Sequence, residues 1–432
     1  MSPLIDHPLR YDLANELHAR PFPSAKAPCR AAYLAIKPDG PGGGRDRALD
    51  IAHLKVLLDH YAAPQPEEGA THYFGPIGKH LLKWESHTEF VTYTIFGKGA
   101  AQSPFDAQTF ALFPQSWLAS TPGVRITSAL IRVEEQTGDE AILEKISDWF
   151  VPESLAVARV LDDDAVIAGD FRIDPAGHMR FAMFLHPETG ERRTGRVLQR
   201  LCEIETYKAM AMLGFSRSRA ISPQMAGLDD RVSKLTQSLS GDLATPAATL
   251  DWLLQVSGEL EALSARSTFR FGATAAYEAI VNQRIAVLRE ERFHGRQTFA
   301  EFMMRRFDPA MRTVTSTKER LDSLSARAIR ASELLRTRVD VERSAENKAL
   351  LQSMDQRADL QLRLQETVEG LSIVAISYYA VNLAANMVLP IAAELGLGEK
   401  GIKGILTPFV VILVWFGVRQ IRKRASAARG AI

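Results

Sequence analysis

From Ala310 to Glu369 the chain runs 60 positions without a glycine, a proline or an aromatic residue. Glycine and proline supply 28 and 21 of the 432 residues, so an average stretch of that length holds several of each. With every strong helix breaker missing, residues 310–369 are predicted to form one continuous helix, about 90 Å long. Directly behind it lies Gly370–Ala393, 24 uncharged residues between Glu369 and Glu394. As a helix that run spans about 36 Å, enough to cross a hydrocarbon core of about 30 Å. A long polar helix that turns apolar without punctuation excludes a single compact globule.

A second uncharged run, Gly404–Val418, has 15 residues and contains Pro408. Alone it covers about 22 Å, so as a membrane helix it needs its flanking cations to reach the interface. Proline is tolerated in such a helix when neighbours satisfy the freed carbonyl. Arg419, Arg422, Lys423 and Arg424 follow it, and cationic flanks stay in the cytoplasm. Two spans return the N-terminal body to the same side. The start, Met1–Pro23, has no cationic lead followed by an apolar core, so it does not read as a secretory signal. The expected location is a membrane with both termini cytoplasmic and the lipid bilayer as first partner.

The seam of the long helix is narrow. Leu321, Leu324, Ala328, Ala331 and Leu335 recur at three-to-four spacing, and Leu350, Met354, Arg357, Gln361, Leu364, Val368 and Leu371 continue it with two polar interruptions. Mixed charge covers the other faces, as on a solvated coiled coil. An exposed apolar seam of this length calls for a partner, and a homo-oligomer is expected along it. The formal charge of the whole chain is +1, which gives no general attraction for nucleic acid. Cys29 and Cys202 are the only cysteines, too few for a disulfide scaffold or a cysteine zinc site.

The first 221 residues mix strand and helix signals. Strands are expected over 31–36, 125–134, 155–161, 165–172 and 179–185, and helices near 49–61 and 196–213. The Pro-Asp-Gly-Pro-Gly-Gly-Gly run at 38–44 reads as a loop, because no Gly-Lys-Ser/Thr follows to hold a nucleotide phosphate. After Ser222-Pro223 the chain reads as all-helical, with Tyr277, Val281, Ile285 and Leu288 on one apolar face and Phe299, Phe302, Met303 and Phe307 on another. The resulting fold class is an α+β cytoplasmic domain (1–221), a helical domain (222–309), a long coiled-coil stalk helix (310–369) and two transmembrane helices. The spans are 370–393 and 404–418, joined by a short external loop (394–403) and followed by a basic tail (419–432).

Four groups of residues are candidates for a site. Residues 80–96 read as extended chain, and at period two Lys83, Glu85, His87 and Glu89 fall on one side, with Leu82, Trp84 and Phe90 on the other. Such a row is either a ligand or intersubunit site or the solvated face of an antiparallel sheet. Glu16, His18 and Arg20 offer donors and acceptors for an anionic or metal ligand, or plain surface ion pairs. Asp162, Asp163 and Asp164 suit either a divalent cation or a hairpin turn. Tyr379, Asn382 and Asn386 share one face of the first span and are expected to bond between helices or to line a pore.

Three stretches carry a resemblance: His7-Pro-Leu-Arg10 with Glu16-Leu-His-Ala-Arg-Pro-Phe22, Lys83–Tyr93, and Gln365–Val374. With them the chain resembles a family of uncharacterised bacterial membrane-anchored proteins, a domain of unknown function, over nearly its whole length. Its architecture is also similar to that of CorA divalent-cation channels, in which an α/β body leads through a stalk to two membrane helices. That similarity implies a pentamer and a divalent cation as ligand. The Gly-Met-Asn of those channels does not occur between Gly370 and Lys403; Tyr379-Ala-Val-Asn382 is the nearest sequence. Nor does the chain carry Gly-x-Ser-x-Gly, His-Glu-x-x-His or a nucleotide loop. The expected function is therefore a membrane-anchored binding or sensing module, with no enzyme activity and no cofactor; a CorA-like channel is the alternative.

Overall fold

The computed structural model describes residues 4, 6–16, 22–40, 44–238, 246–393 and 399–429. The chain divides into two compact units, Met1–Glu333 and Leu334–Ile432.

The first unit is α+β. A short helix α1 (Arg10–Glu16) precedes a nine-stranded mixed sheet: β1 (Cys29–Lys37), β2 (His72–Ile77), β3 (His80–Ser86), β4 (Val91–Lys98), β5 (Val124–Glu135), β6 (Ala156–Val160), β7 (Ala165–Gly169), β8 (Met179–Leu185) and β9 (Glu291–Arg292). Their spatial order is β2-β3-β4-β1-β5-β8-β7-β6-β9. Only β5 and β8 run parallel; the other described neighbours are antiparallel.

Alternation along each strand feeds two different layers. Ala32, Leu34 and Ile36 of β1, Leu82 and Trp84 of β3 and Tyr93 and Ile95 of β4 share one core with Leu54, Leu57 and Leu58 of α2 (Arg47–His60) and Trp117 of α3 (Gln115–Ala119). Helix α4 (Asp139–Trp149) covers β6–β8 through Ile142 and Ile146. Ala31, Tyr33 and Ala35 of β1 and Ala129, Ile131 and Val133 of β5 face the opposite way. They share a core with Leu198, Leu201 and Ile204 of α5 (Glu191–Ser238), Phe271 and Val281 of α6 (Pro246–Ala286) and Phe299 and Phe302 of α7 (Phe299–Arg306).

Helices α5 and α6 are 48 and 41 residues long and lie antiparallel, with Arg284 on Glu203, Arg217 on Ser267 and Arg231 on Glu259. Gly214 makes the approach possible, since a Cβ there would fall 2.1 Å from Thr274 Oγ1. The expected domain boundary at 222 falls inside α5, which continues through Pro223. Proline removes one backbone donor there, while the neighbouring Ser222 hydroxyl donates to the Ser218 carbonyl at 2.7 Å. The helices belong to the same compact unit as the sheet.

Helix α8 (Asp308–Ala393) is a single element of 86 residues. Its first turns belong to the first unit: Met311, Val314, Leu321, Leu324 and Ala328 join the core that holds α5 and α6, and Asp229 of α5 pairs with Arg320 and Arg327. This corrects the expectation of an open seam on the upper stalk, because Leu321, Leu324 and Ala328 are covered by the chain's own helices. Further along, Leu350, Met354, Leu364 and Val368 are exposed in the single chain.

In the second unit, α8 continues through the apolar run, and α9 (Glu399–Arg429) follows. Helix α9 is longer than the expected second span at both ends: residues 399–403 are helical, as is the basic tail to Arg429. The rest of the expected loop, 394–398, lies outside the described residues. Each helix carries a segment long and apolar enough to cross a membrane.

Candidate functional site

The helix-facing side of β3 and β4 is polar and yet covered. Strand β3 ends at Ser86, so the row at 83–89 divides, with Lys83 and Glu85 on the strand and His87 and Glu89 in the turn to β4. Register sets Lys83 opposite Thr94 and Glu85 opposite Thr92 on β4, and Thr94 opposite Tyr33 on β1. Lys83, Glu85 and Glu89 are only 5%, 8% and 2% exposed. The solvated-face alternative is thereby corrected: α5 and α6 lie over this side of the sheet.

Every charge in the seam has an opposite neighbour. Lys83 Nζ donates to Gln199 Oε1 at 2.6 Å and lies 3.1 Å from Glu85. Gln199 Nε2 donates to Glu203 at 2.7 Å, and Glu203 in turn takes Arg284 from α6. Glu205 accepts from Thr127 at 3.0 Å and from Lys208 at 2.7 Å. Tyr33 meets Thr206, whose hydroxyl donates to the Cys202 carbonyl. Burial pushes the Tyr33 phenol and the Cys202 thiol well above their ordinary ranges, so both stay protonated. The cavity that Lys83, Glu85, His87, Gln199, Cys202 and Tyr207 line measures about 20 Å³, room for one water and not for a metabolite.

Glu89 anchors the other end of the seam. Arg270 of α6 donates to it at 2.5 Å and the Tyr277 hydroxyl at 2.8 Å. Tyr277 stacks on Tyr207 with ring centres 5.5 Å apart, and His87 stacks on Phe90 at 4.4 Å. Burial first, then the bond to Glu89, pushes the Tyr277 phenol up. The far side of Arg270 opens on a second and much larger cavity, about 350 Å³, together with Lys37, Arg217 and Arg266. That volume falls in the range of small-molecule sites.

The remaining candidates lie apart from this site. Glu16 ends α1, while His18 and Arg20 lie outside the described residues. The three aspartates do not converge on an ion: Asp162 pairs with Arg289 at 2.6 Å, Asp163 with Arg159 and Asp164 with Arg193 at 2.7 Å. Leu161, Asp162 and Asp163 take positive φ in the tight β6–β7 turn, which corrects the cation alternative in favour of turn chemistry. Among the described residues no cluster of three histidine, cysteine or acidic side chains is arranged for a metal. In the apolar helix, Asn382 Nδ2 donates to the Tyr378 carbonyl of its own helix at 3.0 Å, and Tyr379 and Asn386 are exposed.

Arg270, Tyr277, Gln199, Glu203, Lys37, Arg217 and Arg266 were not legible as site residues. The only local signal for Arg270 is a cation within an otherwise apolar helix face, next to Phe271 and in register with Tyr277.

The family model that matches the chain describes a protein of unknown function (DUF3422) and spans residues 5–425. The chain belongs to this family. The match takes in the sheet, the α5–α6 pair, all of α8 and most of α9, so the buried seam and both apolar helices fall within one family unit. No curated protein matches the chain.

Proposed function

We propose that this DUF3422 chain is a membrane-anchored binding protein whose cytoplasmic body takes a ligand and whose helix α8 carries the effect to a two-helix membrane unit. The observation that carries this reading is the continuity of α8. The helix begins among the buried core residues Met311 and Val314 and runs without a break into Gly370–Ala393. A continuous helix shared by two regions offers a contiguous path along which coupling can pass.

Exposure in the apolar segments supports the membrane part. Leu371, Val374, Leu383 and Met387 of α8 and Ile405, Phe409, Ile412, Leu413 and Phe416 of α9 are each half or more exposed in the single chain. Helices that are apolar on all sides need lipid or protein around them. Ser377, Val381 and Ala385, four residues apart on one α8 face, are buried, as is Ile402 of α9. Arg419, over the Trp415 ring at 5.0 Å, supports an interfacial position for that end of α9, with the basic tail and the body both cytoplasmic.

The test is extraction. The full chain is expected to stay with membranes through an alkaline carbonate wash and to be released only by detergent. Replacing Leu413 and Phe416 with lysine is expected to weaken that retention. Release of the unaltered chain by carbonate would refute the anchor.

A further inference from the structure

The open cavity behind Arg270 carries an excess of positive charge. Its floor is Lys37 and Arg270, only 5% and 6% exposed, and its mouth carries Arg217 of α5 and Arg266 of α6. Against these four cations stand Asp39 on the rim and Glu89, which is already engaged by Arg270 and Tyr277. Arg217 Nε donates to Ser267 Oγ at 3.1 Å and Arg266 Nε to the Ala262 carbonyl at 3.0 Å. Among the described residues neither guanidinium has a carboxylate partner. Lys37 Nζ is held by two neutral acceptors, the Pro38 and Gly40 carbonyls, at 3.0 and 2.8 Å.

Lys37 and Arg270 are covered, Arg217 is half-buried and Arg266 exposed; Asp39 and Glu89 offset two of these four charges, and a bound anion offsets the rest. Two forked guanidinium groups and one ammonium match the bidentate demands of phosphate and carboxylate oxygens. Val124, Ile126 and Leu213 supply an apolar wall, which suits an organic body more than a bare ion. The surplus of two positive charges sets the complementary charge of the ligand. We propose that this cavity binds a small organic dianion of the phosphate or polycarboxylate class, held by Arg217, Arg266 and Lys37. Burial, and then the nearby charge of Arg270, pulls the Lys37 pKa below its ordinary value, and a bound anion opposes that shift.

This assignment rests on the body being a ligand-binding module and not on the membrane anchor. The test uses the detergent-solubilised full chain, with inorganic pyrophosphate and glycerol 3-phosphate as probes and sodium chloride at matched ionic strength as control. Both phosphates are expected to raise the thermal midpoint in a concentration-dependent way that chloride does not reproduce. Arg217→Gln and Arg266→Gln are each expected to weaken the apparent affinity about tenfold or more, the loss of one charge-assisted pair. Both side chains are at least part-exposed, so both variants are expected to fold; Arg217→Lys, which keeps the charge and loses the fork, is expected to fall between wild type and glutamine. Competition by dihexanoyl phosphatidic acid, whose phosphomonoester headgroup is a dianion, assigns the site to a lipid headgroup, and its absence to a free phosphate compound; both sustain the site. No shift beyond the chloride control, or a shift unchanged in the Arg217→Gln/Arg266→Gln double variant, overturns the anion assignment and leaves the carbonate result standing. A shift given by uncharged compounds alone also overturns it, while leaving a ligand-binding body in place.

Discussion

Removing the Glu89 carboxylate is the most informative single perturbation of the sheet–helix seam. Arg270 is 94% buried by its 6% exposure, and Glu89 is its only carboxylate partner among the described residues. Glu89→Ala leaves a buried guanidinium without its anion and the Tyr277 hydroxyl without its acceptor. Stranding one member of a buried pair costs about 3–5 kcal/mol. Because the far side of Arg270 lines an open cavity, the lower end of that range is expected. At about 2.1 cal/mol/K per residue, a unit of residues 1–333 has an unfolding entropy of about 0.7 kcal/mol/K, so a loss of about 3 kcal/mol lowers the midpoint by roughly 4 °C. The assay is thermal unfolding of the detergent-solubilised chain followed by tryptophan fluorescence, since Trp84 is buried on β3 beside this turn. Arg270→Met in the Glu89→Ala background removes the stranded charge and is expected to recover part of the loss. Strictly additive losses, or a Glu89→Ala shift below about 1 °C, would refute the claim that the two side chains act as a coupled buried pair.

Acidification gives a second readout. His53, His80 and His178 are buried, and burial is the main reason that their pKa values lie below 6.5. Each is neutral in the fold and takes up a proton more readily when unfolded, so stability is full above about pH 6.5 and falls as pH drops through the lowered folded values. Asp50 and Glu290, whose carboxyls burial pushes up, act in the opposite sense, so the midpoint is measured from pH 8 down to about 5 in wild type and His53→Gln, with a shallower decline expected in the variant. Gly195→Ala places a Cβ 1.6 Å from the Pro23 carbonyl oxygen and is expected to displace residues 22–26 from α5, at a cost of about 1–3 kcal/mol in thermal unfolding. Proteoliposomes holding the full chain are expected to take up magnesium no faster than empty ones, with Asn382→Leu unchanged, because Gly-Met-Asn is missing from the first span and the Asn382 Nδ2 donates within its own helix; rapid, Asn382-sensitive uptake would replace binding by conduction.

Periodicity carried much of the architecture. The unbroken stretch after Ala310 emerged as part of α8, and Tyr277, Val281, Ile285 and Leu288 fall on the covered face of α6 and its exit. Strand β1 runs past both expected ends because Cys29, Arg30 and Lys37 still find ladder partners on β4 and β5, which no local propensity encodes. Strand β2 was hidden by Gly75 and Pro76, which read as turn residues; at the sheet edge a proline costs no ladder bond on its open side. The boundary read at Ser222-Pro223 lies within α5, where packing on α6 accommodates the one helical bond that Pro223 removes. At the site, period two placed Lys83 and Glu85 on one face correctly. It did not reveal that this face is covered, because the covering partners Gln199, Glu203, Arg270 and Tyr277 lie more than one hundred positions away in sequence. The upper stalk seam was legible as apolar, but only the three-dimensional structure assigns Leu321 and Leu324 to the chain's own core.

The central claim is that the body and the membrane unit lie on a chain that crosses the bilayer twice, and thiol labelling tests it directly. Cys29 and Cys202 are both buried, and burial pushes the Cys29 thiol up to about 12, so the native background to a membrane-impermeant maleimide is low. Gly401→Cys at the start of α9 and Ser344→Cys on the exposed part of α8 both introduce thiols at exposed helical positions. In intact cells expressing the chain, Gly401→Cys is predicted to label from outside and Ser344→Cys only after permeabilisation. Labelling of both positions only after permeabilisation, or of Ser344→Cys alone from outside, would contradict the two-span account.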